Sequence, residues 1–266
     1  MRISFLEAAY REVPEALRFG GNLRMEVDGV CQPKWKKKKV ESGNVIEEII
    51  YLEKPISFRE PHPKAKADKD SENMRRRIRD VGRMLNSNFA VGDYLVTLTY
   101  NRVSYGQIMA DPSIRRFRRQ IAYMNAEHEL SLFIKRCQYH ANQSGIPFRA
   151  LYITSDMRKD TGNYARVHHH MVVNREALEL VRSLWDNGFV LEEELRDQAD
   201  YTPIADYFME QVWHIENKKS YGRTRNLEKP ITTAMPLLDP NETLVEPEGA
   251  TVLAVSRNHI KYTYKK

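Results

Sequence analysis

The chain has 266 residues, 41% of them hydrophobic and 29% charged, which is enough apolar material for a packed core and excludes a disordered chain. A net charge of +6 suits a polyanionic partner without requiring one. The isolated cysteines Cys31 and Cys137 argue against a zinc ribbon or disulfide framework. No run reaches the roughly 18 apolar residues of a membrane span, and the N-terminus does not read as a secretory signal, so the cytoplasm is the expected location.

Residues 1–71 read as a basic N-terminal extension and linker. They hold KWKKKK (34–39), for which a solvated loop and a phosphate-binding patch are both open, and the proline- and charge-rich REPHPKAKADKDSE (59–72). From Glu72 the pattern changes. ENMRRRIRDVGRMLNSNF (72–89) sets Met74, Ile78, Val81 and Leu85 at spacings of three and four, one face of a basic helix. GDYLVTLTYN (92–101) has strand composition. DPS (111–113) opens a second helix, periodic through Phe117, Ile121, Met124, Leu130, Ile134 and Cys137 and stopped by QSG (143–145).

FRALYITSD (148–156) and VHHHMVVN (167–174) are two further strands, and the turn-like segment between them predicts a hairpin or a neighbouring pair. REALELVRSLWDNG (175–188) is a short helix ended by Gly188. YTPIADYFMEQVWHIENK (201–218) is a helix with Thr202 as cap and Pro203 in its first turn. ATVLAVS (250–256) and HIKYTYK (259–265) read as closing strands. The order predicts an α+β fold, an antiparallel sheet with helices packed mainly on one face, over residues 72–266.

RVHHHMVVN (166–174) carries the chemistry. Alternate side chains of a strand share a face, so His168 and His170 point one way and His169 points towards the apolar side with Met171 and Val173. Two imidazoles so placed can hold one divalent cation, and Asp156 on the neighbouring strand is the expected third ligand. Such a set suits Mg²⁺ or Mn²⁺ held against a phosphate. The plain alternative is a pair of histidines bonded to backbone or surface groups. No HExxH, GxSxG or Walker-type loop offers another nucleophile, whereas Tyr207 lies on a helix downstream. A phenol with a pKa of about 10 is a weak nucleophile unless a metal polarises its target; Tyr207 is equally readable as a core aromatic.

LVTLTY (95–100), RVHHHMVV (166–173) and then a helical tyrosine resemble, in order, the three motifs of the HUH endonucleases, the rolling-circle initiators and relaxases. More narrowly, the chain is similar to replication-associated proteins related to the gene II endonuclease of filamentous phages. The likeness runs from about Asn73 to Pro230 and includes LWDNGFV (184–190), DYTPIADYF (200–208) and TRNLEKP (224–230). The resemblance implies an antiparallel HUH (RRM-like) palm that nicks and rejoins single-stranded DNA through a 5′-phosphotyrosine, with host helicase and polymerase as further partners and the cytoplasm of a bacterial host as the setting. It implies His168, His170 and Asp156 as metal ligands, Tyr207 as nucleophile, Thr97 and Thr99 on the strand beside the metal and the DNA, and Arg166, Arg225 and Asn226 as backbone contacts.

Two departures stand out. Relatives often carry a lysine three residues after the nucleophile, where this chain has Glu210; Lys218, Lys219 or Arg223 are the nearest substitutes. Tyr201, six residues before Tyr207, is an alternative or second nucleophile if the helix begins by that point. Rival readings are a relaxase or transposase of the same fold, or a DNA-binding protein that has lost its nicking activity.

Overall fold

Two antiparallel five-stranded sheets and five α-helices make up the described part of this computed structural model, which covers residues 34–53, 66–109, 118–157, 164–212, 221–237 and 243–264. The helix start at 111–113, the turn at 158–163, Lys218 and Lys219 lie outside these residues. The expected α+β antiparallel class holds. The chain divides into two compact units, residues 67–229 and a second one built from 1–66 with 230–266.

In the first unit the elements are α1 (Lys66–Asn88), β3 (Tyr94–Leu98), α2 (Arg102–Ile108), α3 (Arg118–Ser144), β4 (Ala150–Met157), β5 (Tyr164–Val173), α4 (Leu178–Leu184), β6 (Val190–Glu194), α5 (Thr202–Val212) and β7 (Gly222–Arg223). The sheet order is β6-β3-β5-β4-β7, and the expected β4–β5 pairing is antiparallel. The helix α2 had no signal strong enough to read in advance; Asn101 starts it by accepting the backbone N–H groups of Val103 and Ser104. Gly92, at φ +92°, makes the turn from α1 into β3, a conformation that favours glycine.

Helices cover both faces of this sheet, a correction to the expectation of mainly one. Val96, Leu98, Met171 and Val173 pack with Phe133 and Ile134 of α3 and Val181 of α4. Leu151, Ile153 and Val172 pack with Val81 and Leu85 of α1 and Ala205, Phe208 and Met209 of α5. The physical reason lies in β5 itself. Met171, Val172 and Val173 are consecutive and all fully buried, so both faces are apolar at that end of the strand and each needs a cover. Only the end carrying the histidines leaves polar groups on a face.

The second unit has β1 (Lys34–Ser42), β2 (Val45–Glu53), β8 (Ile231–Met235), β9 (Thr251–Ser256) and β10 (His259–Thr263), in the order β8-β1-β2-β10-β9. The expected division at residue 71 therefore gives way to one in which the C-terminal strands join the sheet of β1 and β2, β10 pairing with β2 and β8 with β1, instead of closing the histidine sheet. KWKKKK is not a loop. It is a strand with neighbours on both sides, and three of its lysines meet carboxylates: Lys36 with Glu53 at 2.7 Å, Lys37 with Glu48 at 3.2 Å, Lys39 with Glu41 at 2.5 Å. No helix among the described residues is long and apolar enough to cross a membrane.

Candidate active site

The alternation of β5 separates the three histidines as the sequence predicts. His169 is fully buried on the α3 side, where its Nε2 lies 2.8 Å from the Tyr100 hydroxyl and its Nδ1 lies 3.0 Å from Thr154 Oγ1. Burial drives its pKa down to about 3, and the neighbouring His168 and His170 push the same way. A neutral imidazole with both nitrogens bonded to hydroxyls inside a core is a structural group.

His168 and His170 occupy the other face. His168 Nδ1 is 2.9 Å from the Arg166 carbonyl oxygen. A carbonyl only accepts, so this nitrogen carries the proton and Nε2 is left with its lone pair. Burial holds His168 below its ordinary pKa, which keeps the ring neutral near pH 7. His170 lies opposite Thr97 on β3, with Nδ1 3.0 Å from Thr97 Oγ1. The two Nε2 atoms are 3.1 Å apart on rings set at 90°. Two nitrogens each about 2.1 Å from one ion, at right angles, stand about 3.0 Å apart, so this pair fits adjacent positions around a single cation. Backbone carbonyl and hydroxyl partners on the far ring nitrogens are the usual support of metal-binding imidazoles.

Tyr207 reaches this face from α5, whose Ala205, Phe208 and Met209 are buried against the sheet. Its hydroxyl is 2.9 Å from His170 Nε2. Burial pushes its pKa up to about 12, so the phenol keeps its proton and donates it to that nitrogen. One helical turn further, Gln211 is 5% exposed and its Oε1 accepts a 2.9 Å bond from the hydroxyl of Ser155, the β4 residue opposite His168. Gln211 escaped the sequence reading as a site residue. The signal was its spacing, since four residues bring a side chain back to within about 40° of its starting direction. Glu210, by contrast, is exposed and lies off that face.

Several expected site residues are elsewhere. Asp156 is buried on the far side of β4, where Arg119 Nε of α3 binds its carboxylate at 2.5 Å. The β4–β5 register sets Ser155 opposite His168 and then slips before Met157, so the serine and not the aspartate shares the histidine face. Accordingly, no group of three or more His, Cys, Asp or Glu suited to a metal forms among the described residues; the face offers two imidazoles with an amide and a hydroxyl oxygen beside them. Tyr201 is 5% exposed, sits just before α5 and donates its hydroxyl to the Arg196 carbonyl at 3.2 Å, a packing role. Thr99 lies past the end of β3 and bonds the Phe189 carbonyl at 3.3 Å. Arg166 is exposed near His168, its guanidinium 5.2 Å above the Tyr105 ring. Arg225 and Asn226 follow Thr224, whose N–H bonds Ala150, and Asn226 Nδ2 bonds Phe148 at 3.1 Å. That is the opposite end of β4 from Ser155, about 17 Å along the strand. Arg223 turns its guanidinium to Met84 Sδ at 2.8 Å, so it does not replace the missing lysine.

Beside Tyr207 opens a cleft of about 370 Å³, lined by Leu95, Thr97, His170, Glu193, Glu194, Leu195, Arg196, Gln198, Pro203, Ile204 and Tyr207. It runs from His170 and Tyr207 along β3 and the edge strand β6 to the first turn of α5. No family model, curated protein or solved structure matches this chain.

Proposed function

We propose that the protein is a metal-dependent endonuclease and strand transferase for single-stranded DNA, of the HUH type, that starts rolling-circle replication at an origin. The observation that carries this reading is the meeting of three groups at one point: the Tyr207 hydroxyl 2.9 Å from His170 Nε2, and that nitrogen 3.1 Å from His168 Nε2. A half-buried phenol beside a histidine pair at a cleft is the kind of cluster from which an active site is built.

In this reading His168 and His170 hold Mg²⁺ or Mn²⁺ through Nε2, with the Gln211 amide oxygen, bonded to the Ser155 that lies opposite His168, as a neutral third donor in place of Asp156. The bound ion supplies Lewis-acid polarisation of the scissile phosphate. Thr97 and the Arg166 carbonyl fix the two rings. Tyr207 Oη attacks phosphorus as its proton is lost to solvent; the new O–P bond forms while the bond to the 3′ oxygen breaks, and that oxygen takes up a proton. A 5′-phosphotyrosine and a free 3′-OH result, the latter a primer for a host polymerase acting with a helicase. Attack by a 3′-OH on the phosphotyrosine reverses the step and joins strands. Such a reaction belongs in the cytoplasm of a bacterial host. Exposed Arg166 is placed to meet a phosphate beside the nick, whereas Arg225 and Asn226 are too far along the sheet to do so.

The test is covalent capture. Single-stranded oligonucleotide pools incubated with the protein and Mn²⁺ are expected to yield an adduct that survives a denaturing gel, is absent with EDTA, and is absent in Tyr207→Phe. Tight binding with no adduct favours a binding protein. An adduct in Tyr207→Phe moves the nucleophile elsewhere.

A further inference from the structure

The cleft beside Tyr207 is larger than the nicking reaction needs. Attack on a phosphate requires the phenol, the histidine pair and space for one phosphate group, yet the cleft continues past them to about 370 Å³, within the roughly 300–1,000 Å³ of small-ligand sites. Its walls are of two kinds. Leu95, Pro203 and Ile204 give it apolar sides, a surface that a sugar-phosphate backbone does not use and a flat heterocycle does. Glu193 and Gln198 give it hydrogen-bonding groups. Glu193 lies opposite Leu95 in the β3–β6 register, two residues along from Thr97, and so faces the same side as Thr97 and His170.

The exposed Glu193 carboxylate on the cleft wall repels phosphate and accepts hydrogen bonds from amino groups. Arg196 also lines the cleft and donates to Glu193 at 3.3 Å, and at 84% exposed its guanidinium is open to backbone phosphate. From this lining, apolar sides with a carboxylate beside them, we infer that the cleft is a base pocket: it takes the nucleobase next to the phosphate attacked by Tyr207 and selects an amino-bearing base, cytosine foremost, through Glu193. The inference rests on the nicking reading and adds to it the group that sets sequence preference at the cut. Cytosine N4 and a carboxylate are complementary donor and acceptor, whereas the thymine O4 at the same place is an acceptor that Glu193 repels. Gln198, with both a donor and an acceptor, suits the remaining edge of either ring.

The test separates binding from chemistry. Full-length wild type and Glu193→Gln are each used to select bound strands from a random single-stranded DNA pool in EDTA. Wild type is expected to enrich one position for an amino-bearing base over thymine by about tenfold or more. Glu193→Gln, an exposed isosteric change, is expected to flatten that position and leave the others alone. Arg196→Ala is expected to weaken binding to all sequences equally and keep the preference. A wild-type pool with no preferred base, or an unchanged preference in Glu193→Gln, overturns the pocket. Incubating the same pools with Mn²⁺ tests the reaction independently: a Glu193-dependent preference without an adduct keeps the pocket and removes the nicking activity, and an adduct without that preference does the reverse.

Discussion

The Ser155 hydroxyl donates to Gln211 Oε1 across 2.9 Å, joining the strand next to the histidines to the helix that bears Tyr207. Both side chains are buried, so removing one strands the other. Ser155→Ala is expected to lower stability by about 1–3 kcal/mol in urea unfolding. It is also expected to reduce adduct formation, because it frees the turn of α5 that follows the nucleophile. A Ser155→Ala/Gln211→Leu double variant, with both polar partners gone, is expected to recover part of the stability and none of the activity.

His169 predicts a pH dependence. Its folded pKa of about 3 lies below the ordinary 6.5, so between those values the unfolded chain binds a proton that the folded one refuses. Stability from this group is complete above pH 6.5 and is lost as the pH falls towards 3, at about 1.4 kcal/mol per pH unit. His168, also held low by burial, adds to the same slope. Urea midpoints measured between pH 7.5 and 4.5 are expected to fall steadily. His169→Leu is expected to flatten the curve while lowering it at pH 7.5, since the Tyr100 and Thr154 hydroxyls lose their partner.

Tyr207→Phe removes one hydroxyl and keeps the ring. Stability is expected to change by no more than about 1 kcal/mol, while the covalent adduct disappears. In the metal-free protein, ultraviolet difference titration of wild type against this variant is expected to show no phenolate from Tyr207 until the pH approaches 12.

Calorimetry with Mn²⁺ distinguishes the two candidate ligand sets. His168→Ala and His170→Ala are expected to abolish binding. Thr97→Ala, which removes the support of His170 Nδ1, is expected to weaken it about 10–100-fold. Asp156→Asn is expected to leave it unchanged, because Arg119 holds that carboxylate on the other side of the strand.

Gly188→Ala is expected to destabilise the protein by more than about 2 kcal/mol, read as a loss of melting temperature. A Cβ there would run into the backbone of Thr99 and Asn101, and the N–H groups of Thr99 and Asn101 bond the carbonyls of Phe189 and Asn187 at 2.9 and 2.8 Å. The sequence suggests Gly188 as a helix stop, but α4 already ends at Leu184; the glycine is there for close approach.

What was legible follows from the range of the signal. The split of His168 and His170 from His169 needs only the period of a strand, and it holds. Tyr207 was singled out by the resemblance, since a helical pattern alone reads it equally as a core aromatic; its hydroxyl lies 2.9 Å from His170 Nε2. Asp156 failed because its role depends on register across a hairpin, and nothing within LYITSD says which residue falls opposite His168. The C-terminal strands were recognisable as strands from Val252, Val255, Ile260 and Tyr262, but the choice of partner is made more than 200 residues away, at Val45–Glu53. Arg225 and Asn226 lie in an irregular segment, where no periodicity places a side chain.

The sheet that draws on both ends of the chain also sets an order of events during synthesis. Residues 67–229 are complete before β8, β9 and β10 leave the ribosome, so the histidine-bearing unit has everything it needs to fold first. Through that interval β1 and β2 have only each other, and the outer edge of each lacks the strand that later covers it. An open edge invites pairing with another chain. Lys36, Lys37 and Lys39 already have their carboxylate partners Glu53, Glu48 and Glu41 within the β1–β2 hairpin, so these ion pairs need nothing from the C-terminus that later closes the edges.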